Sequence, residues 1–312
     1  MKLDAHVHTR HSGRTSLYPL SLIMRESYNR PEAVYRLAKA RGMDLVAITD
    51  HDCIAGALSL ADRPDVVVGC EVTACFPADG VRVHLTVLDL TERQFLEIDR
   101  RRGDVAVLMP YLRQQGIFTS LNHVASRVNG LVTATHVAAL VPWLDALEVR
   151  NGSRLVEQNR TAAALADATG LISVGGSDAH TMRGIGQTWV EAPRATDRAS
   201  FLRELRAGRV TAGGRHGHYF TMASDILRLA ANLTGEQVVA LARRPFDWRR
   251  HAMLLGTAIG LPLVMVPLAM AIGHFVLEAR FNHSLLVDLV ARPSSRRLPA
   301  VARLAAVNEV SA

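Results

Sequence analysis

The stretch Leu45-Val46-Ala47-Ile48-Thr49-Asp50-His51-Asp52 carries the pattern that decides the fold: a short apolar run that ends in side chains able to hold a metal ion. Such a run fits a strand buried on both faces, as in a parallel sheet covered by helices. The pattern recurs along the chain. Val66-Val67-Val68-Gly69 leads to Glu71, Val83-His84-Leu85-Thr86-Val87 contains a histidine, and a further run ends at Asn122-His123. Ala146-Leu147-Glu148-Val149 precedes Asn151, and Leu171-Ile172-Ser173-Val174 leads into Gly175-Gly176-Ser177-Asp178-Ala179-His180. Helical patterns lie between several of them, at Pro31 to Arg41, Thr91 to Gln115, Ser153 to Thr169 and Arg198 to Ala207. The first has Pro at an early turn and Gly42 just past its end, a start and a stop signal. Strand–helix alternation up to about residue 215 predicts a parallel sheet, and the number of units predicts a closed barrel.

In a parallel barrel the C-terminal ends of all strands converge on one mouth. The opening segment Asp4-Ala5-His6-Val7-His8 sets two imidazoles at i and i+2, on the same side of a strand and about 7 Å apart at the backbone, close enough to share one ion. One rim would then gather His6, His8, His51, Glu71, His84, His123, Asp178 and His180. That is too many ligands for one ion and about right for two or three. A mixed histidine and carboxylate set without thiolate suits Zn, Mn or Fe. The other histidines (His11, His136, His216, His218, His251, His274 and His283) read as ordinary polar residues.

The 312 residues allow one large α/β domain with an extension, and 49% hydrophobic content is that of a globular chain. A formal charge of +7 and a pI near 9.9 suggest a polyanion partner at first sight. Apart from Lys2 and Lys39, however, the basic residues are all arginine and are scattered, which fits a general preference for arginine over lysine better than a binding stripe. Cys53, Cys70 and Cys75 form no CxxC pair and fit a reducing compartment. The chain opens at Met1-Lys2-Leu3 and runs straight into a strand-like motif, with no basic-then-apolar leader, so a cytoplasmic location is expected.

After Gly213-Gly214 the composition changes. We divide the chain into residues 1–215, the domain that carries the candidate metal ligands, and 216–312, a helical C-terminal extension. The extension opens with one or two amphipathic helices over Tyr219 to Arg244. The 26 residues from Ala252 to Leu277 that follow contain no Asp, Glu, Lys or Arg. This run is long enough to cross a bilayer, although Pro262 and Pro267 would kink it. Arg243, Arg244, Arg249 and Arg250 directly precede it, which favours a cytoplasmic N-terminal side. The run is expected to tie the protein to a membrane, as a span or a one-leaflet hairpin, or else to be buried in protein.

Asp4-x-His6-x-His8-Thr9, Ile48-Thr49-Asp50-His51-Asp52, Gly69-Cys70-Glu71-Val72, Asn122-His123 and Gly176-Ser177-Asp178-Ala179-His180 together resemble the PHP family, named for polymerase and histidinol phosphatase. The resemblance covers about residues 1 to 195. It implies a distorted (β/α)7 barrel that binds two or three divalent ions at the strand C-termini and hydrolyses phosphoesters. Carried over, His6, His8, Glu71 and Asp178 would hold one ion; Glu71 would bridge to a second, completed by His84 and His123; His51 and His180 would hold a third. The family's first motif commonly carries an Asp five residues after its second histidine, where this chain has Gly13. The third ion is therefore expected to be weak or absent unless His11 or Asp52 compensates.

The expected reaction is attack on phosphorus by a hydroxide held between the divalent ions, whose acidifying effect brings the pKa of a bound water from 15.7 toward about 7. The phosphate would be gripped by Arg183, by Arg150 and by the adjacent Asn151, since the guanidinium fork matches phosphate oxygens. The expected substrate is a phosphorylated small molecule or a lipid-linked phosphate. A nuclease acting on nucleic-acid 5′ ends is the alternative, disfavoured because aromatics are only 5% of the chain and do not cluster near the motifs. A membrane-attached metal-binding module without turnover is a third reading, motivated by Gly13.

Overall fold

The computed structural model describes residues 1–15, 24–127, 130–260 and 265–291. These residues form one nine-stranded sheet: β1 (Lys2–Asp4), β2 (Leu45–Ile48), β3 (Val66–Cys75), β4 (Arg82–Leu88), β5 (Phe118–Leu121), β6 (Ala146–Asn151), β7 (Ile172–Gly176), β8 (Thr188–Glu191) and β9 (Thr211–Gly214), in the order β7-β6-β5-β4-β3-β2-β1-β8-β9. The sheet curls until the chain beyond β7 meets the chain beyond β1. There the Asp178 N–H donates to the His6 carbonyl at 2.7 Å and the His8 N–H to the Ala179 carbonyl at 3.2 Å. The result is a nearly closed, distorted barrel.

Side-chain alternation builds two cores from one sheet. In β2, Leu45 and Ala47 point to an inner cluster with Leu3, Val67, Phe118 and Val174, which Phe201, Leu202 and Leu205 join from α7 (Arg198–Arg206). Val46 and Ile48 point the other way, into the larger core under the covering helices. These include α1 (Pro31–Ala40), the single turn α2 (Ala55–Leu58), α5 (Ala134–Leu140) and α6 (Val156–Thr169).

The sheet is not wholly parallel, which corrects the sequence expectation. β4 runs antiparallel to both β3 and β5. Only residues 76–81 separate β3 from β4, a span containing Pro77 and Gly80, whereas a parallel return needs a dozen residues or more. The helix expected from Thr91 to Gln115 is two helices, α3 (Glu92–Arg101) and α4 (Val105–Gln114). Asp104 caps the second by accepting the Ala106 N–H at 2.8 Å.

The C-terminal region is helical: α8 (Tyr219–Arg243), α9 (Trp248–Gly260) and α10 (Met265–Ala291). The charge-free run is thus divided between α9 and α10, with residues 261–264 outside the described part, as are residues 292–312 of the expected tail. Among the described residues, no helix is long and apolar enough to cross a membrane. Toward its C-terminal end α10 lays Phe281, Leu285, Leu286 and Leu289, spaced along one helix face, into the main core.

Candidate metal centre

All eight side chains read from the sequence as rim residues meet at one end of the barrel. Glu71 stands in their middle, fully buried. Its Oε2 lies 3.1 Å from His6 Nε2, 3.2 Å from His8 Nε2 and 3.2 Å from His51 Nδ1. Its Oε1 lies 3.1 Å from His123 Nε2 and 3.3 Å from His84 Nδ1. Asp178 Oδ1 approaches His6, His8 and His180 at 3.7, 3.5 and 3.5 Å. His84 reaches the rim from the beginning of its strand, because β4 runs backwards and brings its N-terminal end where its neighbours bring their C-terminal ends.

The backbone bends to make this possible. His123 (φ 29°) and Asp178 (φ 50°) are both in the left-handed region, which non-glycine residues adopt at a cost of order 1–3 kcal/mol. A register shift in β6 between Glu148 and Arg150 lets Glu148 and Asn151 serve the same site despite their odd spacing. Asn151 Nδ2 donates to Glu148 Oε2 at 2.8 Å and to Asp178 Oδ2 at 3.2 Å.

The electrostatics are those of a charge-paired, desolvated cluster. Burial opposes charge on His6 and His8. The carboxylates outweigh it, raising His6 well above the usual imidazole range through Glu71, Glu148 and Asp178, and His8 to about 9 through Asp178 and Glu71. Burial likewise opposes charge on Glu71 and Asp178, yet the surrounding imidazoles, joined at Asp178 by Arg154, hold both carboxyls well below their ordinary values. For His51 and His180 burial wins, helped by neighbouring imidazoles, and His180 falls to about 3. Burial also lowers His123.

The residues fit divalent ions. Four overlapping triads have ligand atoms mutually within 4.8 Å: His6, His8 and Glu71; His6, His123 and Asp178; His51, Glu71 and His84; and His8, His51 and His180. Glu71 Oε2 is buried among three imidazoles and has no hydrogen-bond partner among the described residues. Such an atom is costly to bury unless something positive completes it.

The three expected phosphate-binding residues lie elsewhere in this network. Asn151 is buried beneath Asp178, as described. Arg150 donates to the Gly214 carbonyl at 2.9 Å and approaches His216 at 3.2 Å. Arg183 faces Asp225 at 4.0 Å and Thr221 at 3.5 Å. Two residues the sequence reading did not single out are closer to the centre. Arg154, 12% exposed, sets NH2 3.2 Å from Asp178 Oδ2, and its buried Nε has no hydrogen-bond partner among the described residues. Glu26, 23% exposed, puts Oε1 3.6 Å from His180 Nε2. Gly13 is exposed at φ 81°, and the Glu26 N–H donates to its carbonyl at 3.1 Å, so the two face each other across this turn. Asp52 turns to the Thr73 N–H (2.8 Å) and Arg102 (3.1 Å).

A family model described as PHP-associated matches residues 156–210, from α6 through α7. The chain is thus similar to the PHP family over this segment, which follows β6 of the rim. Over 77 residues it is 34% identical to an uncharacterized protein of Methanocaldococcus jannaschii, a match that covers 23% of this chain and 44% of that relative, so it spans less than half the relative's length. PsfC from Pseudomonas syringae shares the fold at a TM-score of 0.50 and 15% identity, covering 75% of this chain and 98% of PsfC. A two-domain protein from Bacteroides vulgatus, described as containing a predicted PHP-like metal-dependent phosphoesterase, aligns at a TM-score of 0.48 and 18% identity, covering 72% and 68% of the two chains.

Proposed function

We propose that the chain is a metal-dependent phosphoesterase whose ions are held by His6, His8, His51, Glu71, His84, His123, Asp178 and His180. The observation that carries this reading is the set of overlapping ligand triads around the buried, unsatisfied Glu71 Oε2. Bound divalent ions would neutralise charge on a phosphoryl group and acidify water near neutral pH. The remaining work falls to the protein. Arg154 offers Nε and its outer nitrogens to a phosphate oxygen beside Asp178. Glu26 adds a carboxylate to the all-imidazole group of His8, His51 and His180, in the role that Gly13 cannot fill. Burial, partly offset by His8, raises the Glu26 carboxyl to about 6, so it is ionised at neutral pH.

Elemental analysis of the purified protein, with a substrate panel of p-nitrophenyl phosphate, sugar phosphates and 5′-phosphorylated oligonucleotides, tests the proposal. Two or three ions per chain and turnover of a small phosphomonoester are expected. Turnover confined to the oligonucleotides would favour the nuclease reading, and absence of bound metal would refute both.

A membrane surface is the partner we propose for the C-terminal region. At the corner where α8 gives way to α9, Phe246 (95% exposed) and Trp248, the first residue of α9 (70% exposed), stand among exposed Arg243, Arg244 and Arg249. Aromatics flanked by arginine suit the interface of an anionic bilayer better than passage through it. Flotation with phosphatidylglycerol vesicles should carry the protein upward. A Phe246→Ala, Trp248→Ala double variant should stay behind, and equal flotation of the two would exclude this corner.

A further inference from the structure

Glu278 on α10 is 3% exposed and belongs to the C-terminal region, 155 residues beyond His123 in the chain. Its Oε1 accepts from Ser126 Oγ at 3.1 Å, and its Oε2 accepts from the Arg127 N–H at 3.0 Å and from Gln158 Nε2 at 2.6 Å. Gln158 Nε2 also donates to the Ala125 carbonyl at 3.1 Å, so one carboxylate and one amide hold residues 125–127. That turn is the immediate continuation of His123: the Ser126 N–H donates to the His123 carbonyl at 2.8 Å. On its other side, the His123 N–H is held by Glu148 Oε2 at 3.0 Å. The left-handed backbone of His123 is thus fixed from both flanks, and one of the two fixings comes from the C-terminal helix.

The helix is itself anchored for the task. Thr161 Oγ1 donates to Asn282 Oδ1 at 2.8 Å, and Asp288 accepts the Ala134 N–H at 2.6 Å, satisfying a donor in the first turn of α5. His274, one turn before Glu278, lies 3.6 Å from it on the same face of α10.

We infer that Glu278 is a positioning residue for His123, and that α10 therefore forms part of the metal centre's supporting structure. This rests on the metal-dependent reading above. A buried carboxylate with three donors is a specific clamp: its removal takes one acceptor from each of Ser126 Oγ, the Arg127 N–H and Gln158 Nε2 and frees the turn to relax away from the left-handed geometry. Groups that orient a metal ligand from behind typically govern affinity by 10- to 100-fold.

The test uses the full-length protein, with Glu278→Ala and Glu278→Gln as variants. Manganese titration should show one ion bound about 10- to 100-fold more weakly in Glu278→Ala, with an intermediate loss in Glu278→Gln, which retains one acceptor oxygen. Amide hydrogen exchange should accelerate at residues 123–127 while β7 keeps its protection. Wild-type affinity for every ion, or acceleration spread evenly over β6, α6 and β7, would overturn the inference, since a residue that serves only global stability gives the second result. If the wild-type protein binds no manganese, the metal-dependent reading fails by itself, and the exchange pattern still decides whether Glu278 holds His123.

Discussion

Metal loading should expel protons from the paired imidazoles of His6 and His8, and the hydrogen-bond network says from which atoms. His6 Nδ1 lies 2.8 Å from Glu148 Oε1, so it carries its hydrogen there. His8 Nδ1 lies 3.1 Å from Ser12 Oγ, whose single hydrogen is directed to Asp50 Oδ1 at 2.7 Å; Nδ1 of His8 must therefore be the donor. Both neutral rings would then turn an Nε2 lone pair toward the other, 3.0 Å away. Without a metal ion, at least one additional proton must sit between them, balanced by Glu71 and Asp178. With His8 at about 9, that ring is about 97% protonated near pH 7.5. Loading should release one to two protons per chain, and apparent metal affinity should rise about 10- to 100-fold per pH unit between roughly pH 7 and 9. The linkage has a counterpart in stability. A raised His8 stabilises the metal-free fold fully below pH 6.5, by roughly 3 kcal/mol, and this is lost as pH climbs through about 9. Isothermal titration at one pH in two buffers of different ionisation enthalpy measures the protons directly. Identical heats in both buffers would show that the two Nε2 atoms are already bare and would refute this protonation scheme.

Glu26→Gln should remove one ion per chain by elemental analysis and leave the others in place; an unchanged count would take Glu26 out of the centre. Arg154→Ala should lower kcat/KM about 100- to 1000-fold toward a phosphomonoester, as loss of a charge-stabilising donor does, with metal content retained. Gly176→Ala would set a methyl group against the Cβ of His6 and 2.7 Å from its backbone nitrogen, at the seam where β1 and β7 meet. A loss of at least about 1–3 kcal/mol in denaturant unfolding, together with weakened metal binding, is expected.

The sequence displayed the ligands more clearly than the scaffold that aims them. Each rim residue sits beside an apolar run, and strand periodicity alone predicted that such ends converge. The direction of β4 was not legible from its apolar run, because Val83 to Val87 reads the same in either orientation; only the short Pro77–Gly80 connection marked it. Glu148 and Asn151 were noticed but not joined, since their odd spacing places them on opposite faces of a regular strand and the shift in β6 that reunites them leaves no pattern. Glu26 lay beyond local reasoning altogether. Its backbone pairs with that of Gly13 from a distant point in the sequence, so a search near the first motif weighed His11 and Asp52 instead, and Asp52 turns to Thr73 and Arg102. Glu278 is a single acid following a charge-free run, and the run drew attention to hydrophobicity when the acid carried the contact.

Three of the histidines have one ring nitrogen fixed by what it touches, which sets where the other points. Glu148 holds one end of His6, Ser12 and Asp50 one end of His8, and the Asp178 carbonyl lies 3.1 Å from Nδ1 of His180. In each case the second nitrogen is left for the interior. His123 and Asp178 carry strained backbones, which persist only where surrounding contacts over-determine them. Those contacts come from β6, from α6 and, through Glu278, from α10. The same arrangement explains the response to charge. Glu71 and Asp178 stay anionic despite burial because imidazoles crowd them, and these imidazoles remain available because burial keeps His51, His123 and His180 neutral. A cluster with fixed lone pairs, fixed anions and little water is already organised for cations before any arrive, so ion entry meets mainly the cost of expelling the His6–His8 proton.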